Sequence, residues 1–162
     1  MVVQSASPLF LREPEIRRGM ELLYFANSFY SATIEKVLED RQLGRAHQRA
    51  LYFIARKPDI PVGDLLRLLR ITKQSLNRVL NELAERALIE SRPGHRDRRQ
   101  KLLRLTAEGA ALETELFQVL RDTMASAYAE AGQASVTGFW RVLEALIPPD
   151  QRDRIAALEF TR

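Results

Sequence analysis

Between residues 62 and 105 the hydrophobic period changes once, and that change constrains the fold more than any other feature of the chain. Val62, Leu65, Leu66 and Leu69 follow the i, i+3, i+4, i+7 spacing of one short helix. Arg70, Ile71 and Thr72 make a tight turn. Leu76, Val79, Leu80, Leu83 and Ala84 then form the single apolar stripe of a second helix over residues 73–86. Thr72 suits its N-cap, because a hydroxyl there accepts from an otherwise orphaned backbone N–H. Ile71 and Leu76 occupy the staple positions on either side of that cap. After Arg86 the pattern switches to two short strands, at 88–92 and 100–105. Between them lies the turn-forming, charged run Pro93-Gly94-His95-Arg96-Asp97-Arg98-Arg99. Helix, tight turn, helix, strand, charged loop, strand is the order of a winged helix-turn-helix.

The flanks read as helices. Ile16, Met20, Leu23, Phe29, Ile34, Val37 and Leu38 fall at helical spacing through residues 13–41, with Pro14 in the first turn. Leu43 and Gly44 break that segment. A helix follows at 45–56, and Lys57 to Pro61 read as a loop. Thr106 caps a long helix that Gly132 ends. One more helix covers 135–147 and is stopped by Pro148 and Pro149, and residues 150–162 have room for another short one. The expected fold class is mostly α with a small β-hairpin wing: a winged helix-turn-helix domain plus a helical dimerisation lobe. Residues 1–44 and 110–162 would form the lobe, and residues 45–109 the DNA-binding domain.

Charge is concentrated where the period changes. The whole chain carries net +4, while residues 72–106 alone carry net +5. A basic patch on a neutral or acidic body is the electrostatic footprint of a nucleic-acid binder. The polar face of the second helix offers Gln74, Asn77, Arg78 and Asn81, with Lys73 and Ser75 at its start. Such amides and guanidinium groups can make paired hydrogen bonds to purine edges. Residues 92–104 hold Arg92, Arg96, Arg98, Arg99, Lys101 and Arg104 against one acid, Asp97. Narrow minor grooves attract arginine. Asp97 is expected to pin one of these arginines by a charge-assisted bond.

Other classes are disfavoured. With no cysteine, disulfides, thiolate zinc sites and cysteine-based redox sensing are excluded; with only two histidines, His47 and His95, no metal or other cofactor is expected. No nucleophile–base pair or paired carboxylates suggest an enzyme. His47 reads as a helix-packing or surface residue. The start of the chain lacks the pattern of a signal peptide, and no run approaches the ~20 apolar residues of a membrane span. The expectation is a soluble cytoplasmic protein. The alternative reading is a winged-helix module that binds protein without specific DNA binding.

The segment Ile71-Thr72-Lys73-Gln74-Ser75-Leu76-Asn77-Arg78-Val79-Leu80, the run Asp97-Arg98-Arg99, and Leu105-Thr106 followed by Gly109 resemble the MarR family of bacterial transcriptional regulators. Phe10-Leu11-Arg12, the Glu15–Gly19 run and Gly44-Arg45-Ala46-His47 resemble a PetP-like subgroup of it. The resemblance implies a homodimer on a pseudo-palindromic double-stranded operator. Thr72, Lys73, Gln74, Ser75, Asn77, Arg78 and Asn81 would enter the major groove. His95, Arg96, Asp97, Arg98 and Arg99 would form the wing, with Arg99 in the minor groove and Asp97 orienting it. Phe10, Leu11, Ile16, Met20, Leu23, Phe139, Trp140 and Leu143 would line the dimer interface. Phe117, Tyr128 and Phe160 also call for burial. A small-molecule effector has room between lobe and wing domain, although no residue names it. Arg70 departs from the family pattern, which often has glycine at that turn.

Overall fold

The computed structural model describes residues 8–94 and 97–156. His95, Arg96 and Phe160 lie outside the described residues. A 3-10 turn at Leu9–Leu11 leads into α1 (Glu13–Ala32) and α2 (Glu35–Asp40). Pro14 sits in the first turn of α1, and Glu13 and Glu15 place negative charge at its positive end. The sequence reads 13–41 as one helical segment, but the structure breaks it at Thr33 and Ile34. The Thr33 hydroxyl donates to the Tyr30 carbonyl at 2.6 Å, a local bond that competes with the helical ladder. Beyond the break Ile34 and Leu38 are buried, whereas no residue of α1 is.

Next come α3 (Arg45–Arg56), β1 (Ile60–Pro61), α4 (Val62–Leu69) and α5 (Lys73–Glu85). The chain continues through β2 (Ile89–Pro93), β3 (Lys101–Leu105), α6 (Ala107–Ala131), α7 (Gln133–Leu146) and α8 (Pro149–Ala156). The stretch read as a loop at 57–61 therefore contributes a third strand. The sheet order is β1-β3-β2, antiparallel, with Ile60 opposite Leu103 and Ile89 opposite Leu105. β1 is only two residues long and contains a proline, which an edge strand tolerates. No periodicity can reveal so short a strand.

One core joins these elements. Leu51 and Ile54 of α3, Ile60 of β1, Leu65 of α4, Leu76 and Leu83 of α5, and Leu116 of α6 are fully or almost fully buried in it. The turn between α4 and α5 has Arg70 in the left-handed region, at φ 52° and ψ 41°. Its N–H donates to the Leu66 carbonyl at 3.1 Å, closing the end of α4. A side chain in this conformation costs about 1–2 kcal/mol. Arg70→Gly is expected to stabilise the fold by about 0.5–1 kcal/mol after the extra chain entropy of glycine is set against that relief. Urea denaturation checks it.

The outer helices expose apolar side chains. Phe10, Leu11, Ile16, Met20, Leu23, Phe139 and Trp140 are all exposed, and Leu143 is half-buried. Phe117 is exposed, and Tyr128 is half-buried beside Trp140, whose indole N–H donates to its hydroxyl at 2.9 Å. Among the described residues no helix is long and apolar enough to cross a membrane.

Candidate nucleic-acid interface

The apolar stripe of α5 is buried except at Ala84, which is exposed at the helix end. Leu76, Val79, Leu80 and Leu83 are buried. Thr72, Lys73, Gln74, Asn77, Arg78 and Asn81 are exposed, and Ser75 is half-buried. The Thr72 hydroxyl oxygen accepts from the Ser75 N–H at 3.1 Å, which is the expected cap. The remaining orphan N–H groups of this turn and the positive end of the helix dipole face outward beside Lys73, an arrangement suited to phosphate.

Two anchors that the sequence did not disclose hold α5. In its last turn, Glu82 Oε2 lies 2.6 Å from Nε2 of the buried His47 on α3. His47 Nδ1 accepts from the Gly44 N–H at 3.0 Å, so it is Nε2 that carries the proton donated to Glu82. The other oxygen of Glu82 faces Arg78 Nε at 3.9 Å. At the helix end, Arg86 donates to the carbonyls of Arg41 and Gln42 at 2.8 and 3.1 Å. His47 thus takes the packing role expected of it, with a partner 35 residues away. Glu82 and Arg86 carried no sequence signal beyond lying on a polar flank.

The wing is built around its turn. Gly94 N–H donates to the Gln100 carbonyl at 2.9 Å, and Gln100 N–H to the Asp97 carbonyl at 3.0 Å. A Cβ on Gly94 would lie 2.7 Å from that same Asp97 carbonyl oxygen, so the turn closes around a residue without a side chain. Asp97 Oδ1 accepts from the backbone N–H of Arg99 at 2.9 Å. This modifies the expectation of a bond to a guanidinium: the carboxylate takes hold of Arg99 by its main chain. Arg98 and Arg99 are exposed and make no ion pair with any described residue. The picture of six bases facing a single acid also changes, because Asp59 is a second acid at the wing base. Its carboxylate accepts from Arg92 Nη2 at 2.6 Å, and from Arg104 Nη2 at 2.6 Å and Nε at 3.2 Å. Bonding from Arg104, and secondarily from Arg92, holds the Asp59 carboxyl below the usual carboxylate range. The cluster is therefore charged and closed at neutral pH, and loosens only as acid titrates Asp59.

Helix and wing share one face. A cleft of about 620 Å³ is lined by Gly63 and Arg67 of α4, Lys73 of α5, and Arg99, Gln100 and Lys101 of the wing. Its one acid, Asp64, is paired with Arg67 and lies 3.6 Å from Lys57.

The MarR family model matches residues 41–100. The HTH-type transcriptional regulator PetP of Rhodobacter capsulatus is 45% identical over 144 residues, 89% of this chain and 87% of that protein. This chain belongs to the MarR family. The MarR relationship makes it a transcriptional regulator and not an enzyme. Solved MarR structures have the same fold. A variant of MarR from E. coli, complexed with operator DNA, gives a TM-score of 0.67 at 23% identity, covering 88% of this chain and all (100%) of that one. NadR, in complex with 4-hydroxyphenylacetate, gives 0.70 at 21% identity, covering 90% and 97%.

Proposed function

We propose that the chain is a homodimeric, sequence-specific DNA-binding transcriptional regulator that lays α5 in the major groove and its wing along the minor groove. The observation that carries this reading is the cleft shared by Lys73 of α5 and Arg99, Gln100 and Lys101 of the wing. A single duplex lying against that face would meet both elements. Thr72, Lys73, Gln74, Ser75, Asn77, Arg78 and Asn81 form the helix contribution. Asp97, Arg98 and Arg99, together with His95 and Arg96, form the wing. Residues 45–109 act as the reading domain. Residues 1–44 and 110–162 act as the dimerisation lobe, supported by the apolar side chains that one copy leaves uncovered. Sedimentation equilibrium should return twice the mass of the chain.

Fluorescence anisotropy across a salt series tests the central claim. With 6–10 phosphate contacts, affinity for a selected duplex falls by about 10³–10⁵ between 50 and 200 mM salt. Weak binding without salt dependence would instead favour a module that docks on protein. Asn77→Ala and Arg78→Ala are expected to cost about 1–3 kcal/mol each at particular base positions, changing the sequence recovered from a randomised duplex pool. A uniform loss over all sequences would reassign them to the phosphate backbone. A small-molecule effector is part of the proposal on the strength of NadR, whose structure holds an aromatic acid.

A further inference from the structure

Asp59 stands just before β1, at φ 65°, in a left-handed conformation that aspartate tolerates better than most residues. Its N–H donates to the Leu103 carbonyl of β3 at 2.9 Å, which fixes its main chain against the middle strand of the sheet. Arg92 of β2 lies opposite Leu102, and Arg104 of β3 lies opposite Glu90. Directly opposed residues share a sheet face, and so do residues two apart along a strand. Arg92, Glu90, Leu102 and Arg104 therefore stand on one face, opposite the buried Leu103. The Asp59 carboxylate reaches over that face and takes a bond from each of the two wing strands. Two bases and two acids, Arg92 and Arg104 with Asp59 and Glu90, balance locally. Arg92 is two residues from Gly94 at the wing turn, on the strand that leads to the tip.

We propose that Asp59 is a specificity-determining positioning residue: it withholds Arg92 and Arg104 from nucleic acid and fixes the pitch of the wing, leaving the tip arginines to make the contacts. The inference rests on the DNA-binding reading. A phosphate contact raises affinity for every sequence alike, whereas a base contact discriminates. Removing two arginines from the phosphate-binding set lowers the background that competes with the operator.

Asp59→Asn keeps the shape and the tolerance of positive φ but removes the charge. In the full-length protein we expect it to bind a random-sequence duplex more tightly. Its log–log salt slope should steepen by about 0.9 for each arginine released, hence by about 0.9–1.8. Its preference for a pool-selected duplex over the random one should fall. Folding is followed by circular dichroism. A folded Asp59→Asn protein with the wild-type slope and the wild-type preference would overturn the inference. The double variant Arg92→Gln/Arg104→Gln gives an independent reading, including where Asp59→Asn fails to fold. A wild-type slope supports the withholding of these arginines, and a slope shallower by about 0.9–1.8 shows that they touch phosphates already and defeats it. Failure of the DNA reading itself looks different: the wild-type protein would then bind neither duplex in a salt-dependent way.

Discussion

Gly109→Ala is expected to destabilise the protein by about 3 kcal/mol, the upper range for forcing a methyl group into filled space. A Cβ at this position would sit 1.8 Å from the Leu88 carbonyl oxygen and 2.8 Å from its carbon, both main-chain atoms that no rotamer change can move aside. That carbonyl is already in use, accepting the Thr106 N–H at 3.2 Å. The Thr106 hydroxyl donates to the Ala87 carbonyl at 2.7 Å, and its oxygen accepts from the Gly109 N–H at 3.0 Å. Ala87 is held at φ 55°. The substitution therefore forces apart the wing entry and the start of α6. Gly63→Ala is the control: its nearest neighbour is the end of the Arg67 side chain at 4.0 Å, so stability should move by no more than about 1 kcal/mol. Denaturant midpoints compare the two, and a Gly109→Ala protein as stable as the control would remove the close approach from the account.

Arg99→Ala should weaken binding to a selected duplex by about 2–3 kcal/mol, or roughly 30- to 150-fold. Stability should stay within about 0.5 kcal/mol of wild type, because the residue is exposed and its packing is slight. The main-chain bond from Arg99 to Asp97 does not depend on the side chain, so the wing turn should persist in the variant. Binding and denaturation measured on the same preparation separate a lost contact from a lost fold. An unchanged binding midpoint would refute the assignment of Arg99 to the groove.

How far the sequence reveals this molecule depends on the range of the signal. The helices over 45–56, 62–69 and 73–85 were legible because each carries its own apolar stripe, and the cap at Thr72 because its hydroxyl acts three residues away. The wing strands showed as a change of period around Pro93 and Gly94. The polar face of α5 was legible for the same reason as its buried face, since one pattern defines both. Contacts between distant residues were not legible. Asp59 meets partners 33 and 45 positions away, and His47 meets Glu82 across 35. The break at Thr33 escaped because Ile34 and Leu38 continue the helical spacing of α1 while turning into a different environment. The conformation of Arg70 was posed as a question by its missing glycine, and the backbone answers it with a left-handed arginine.

Helix α6 runs unbroken for 25 residues, about 37 Å at 1.5 Å per residue. Its first turns, through Gly109, Leu112 and Leu116, are embedded in the core beneath the sheet, and its far end stands among the uncovered aromatic side chains. A rod of that length behaves as a lever arm. In a paired assembly, tilting it by about 5° at the crossing of two copies would swing the hairpin through about 3 Å. In such an assembly the gap between two hairpins would be a mechanical property of the far ends of two rods, and anything wedged between those ends would be converted into a change of span along a double helix.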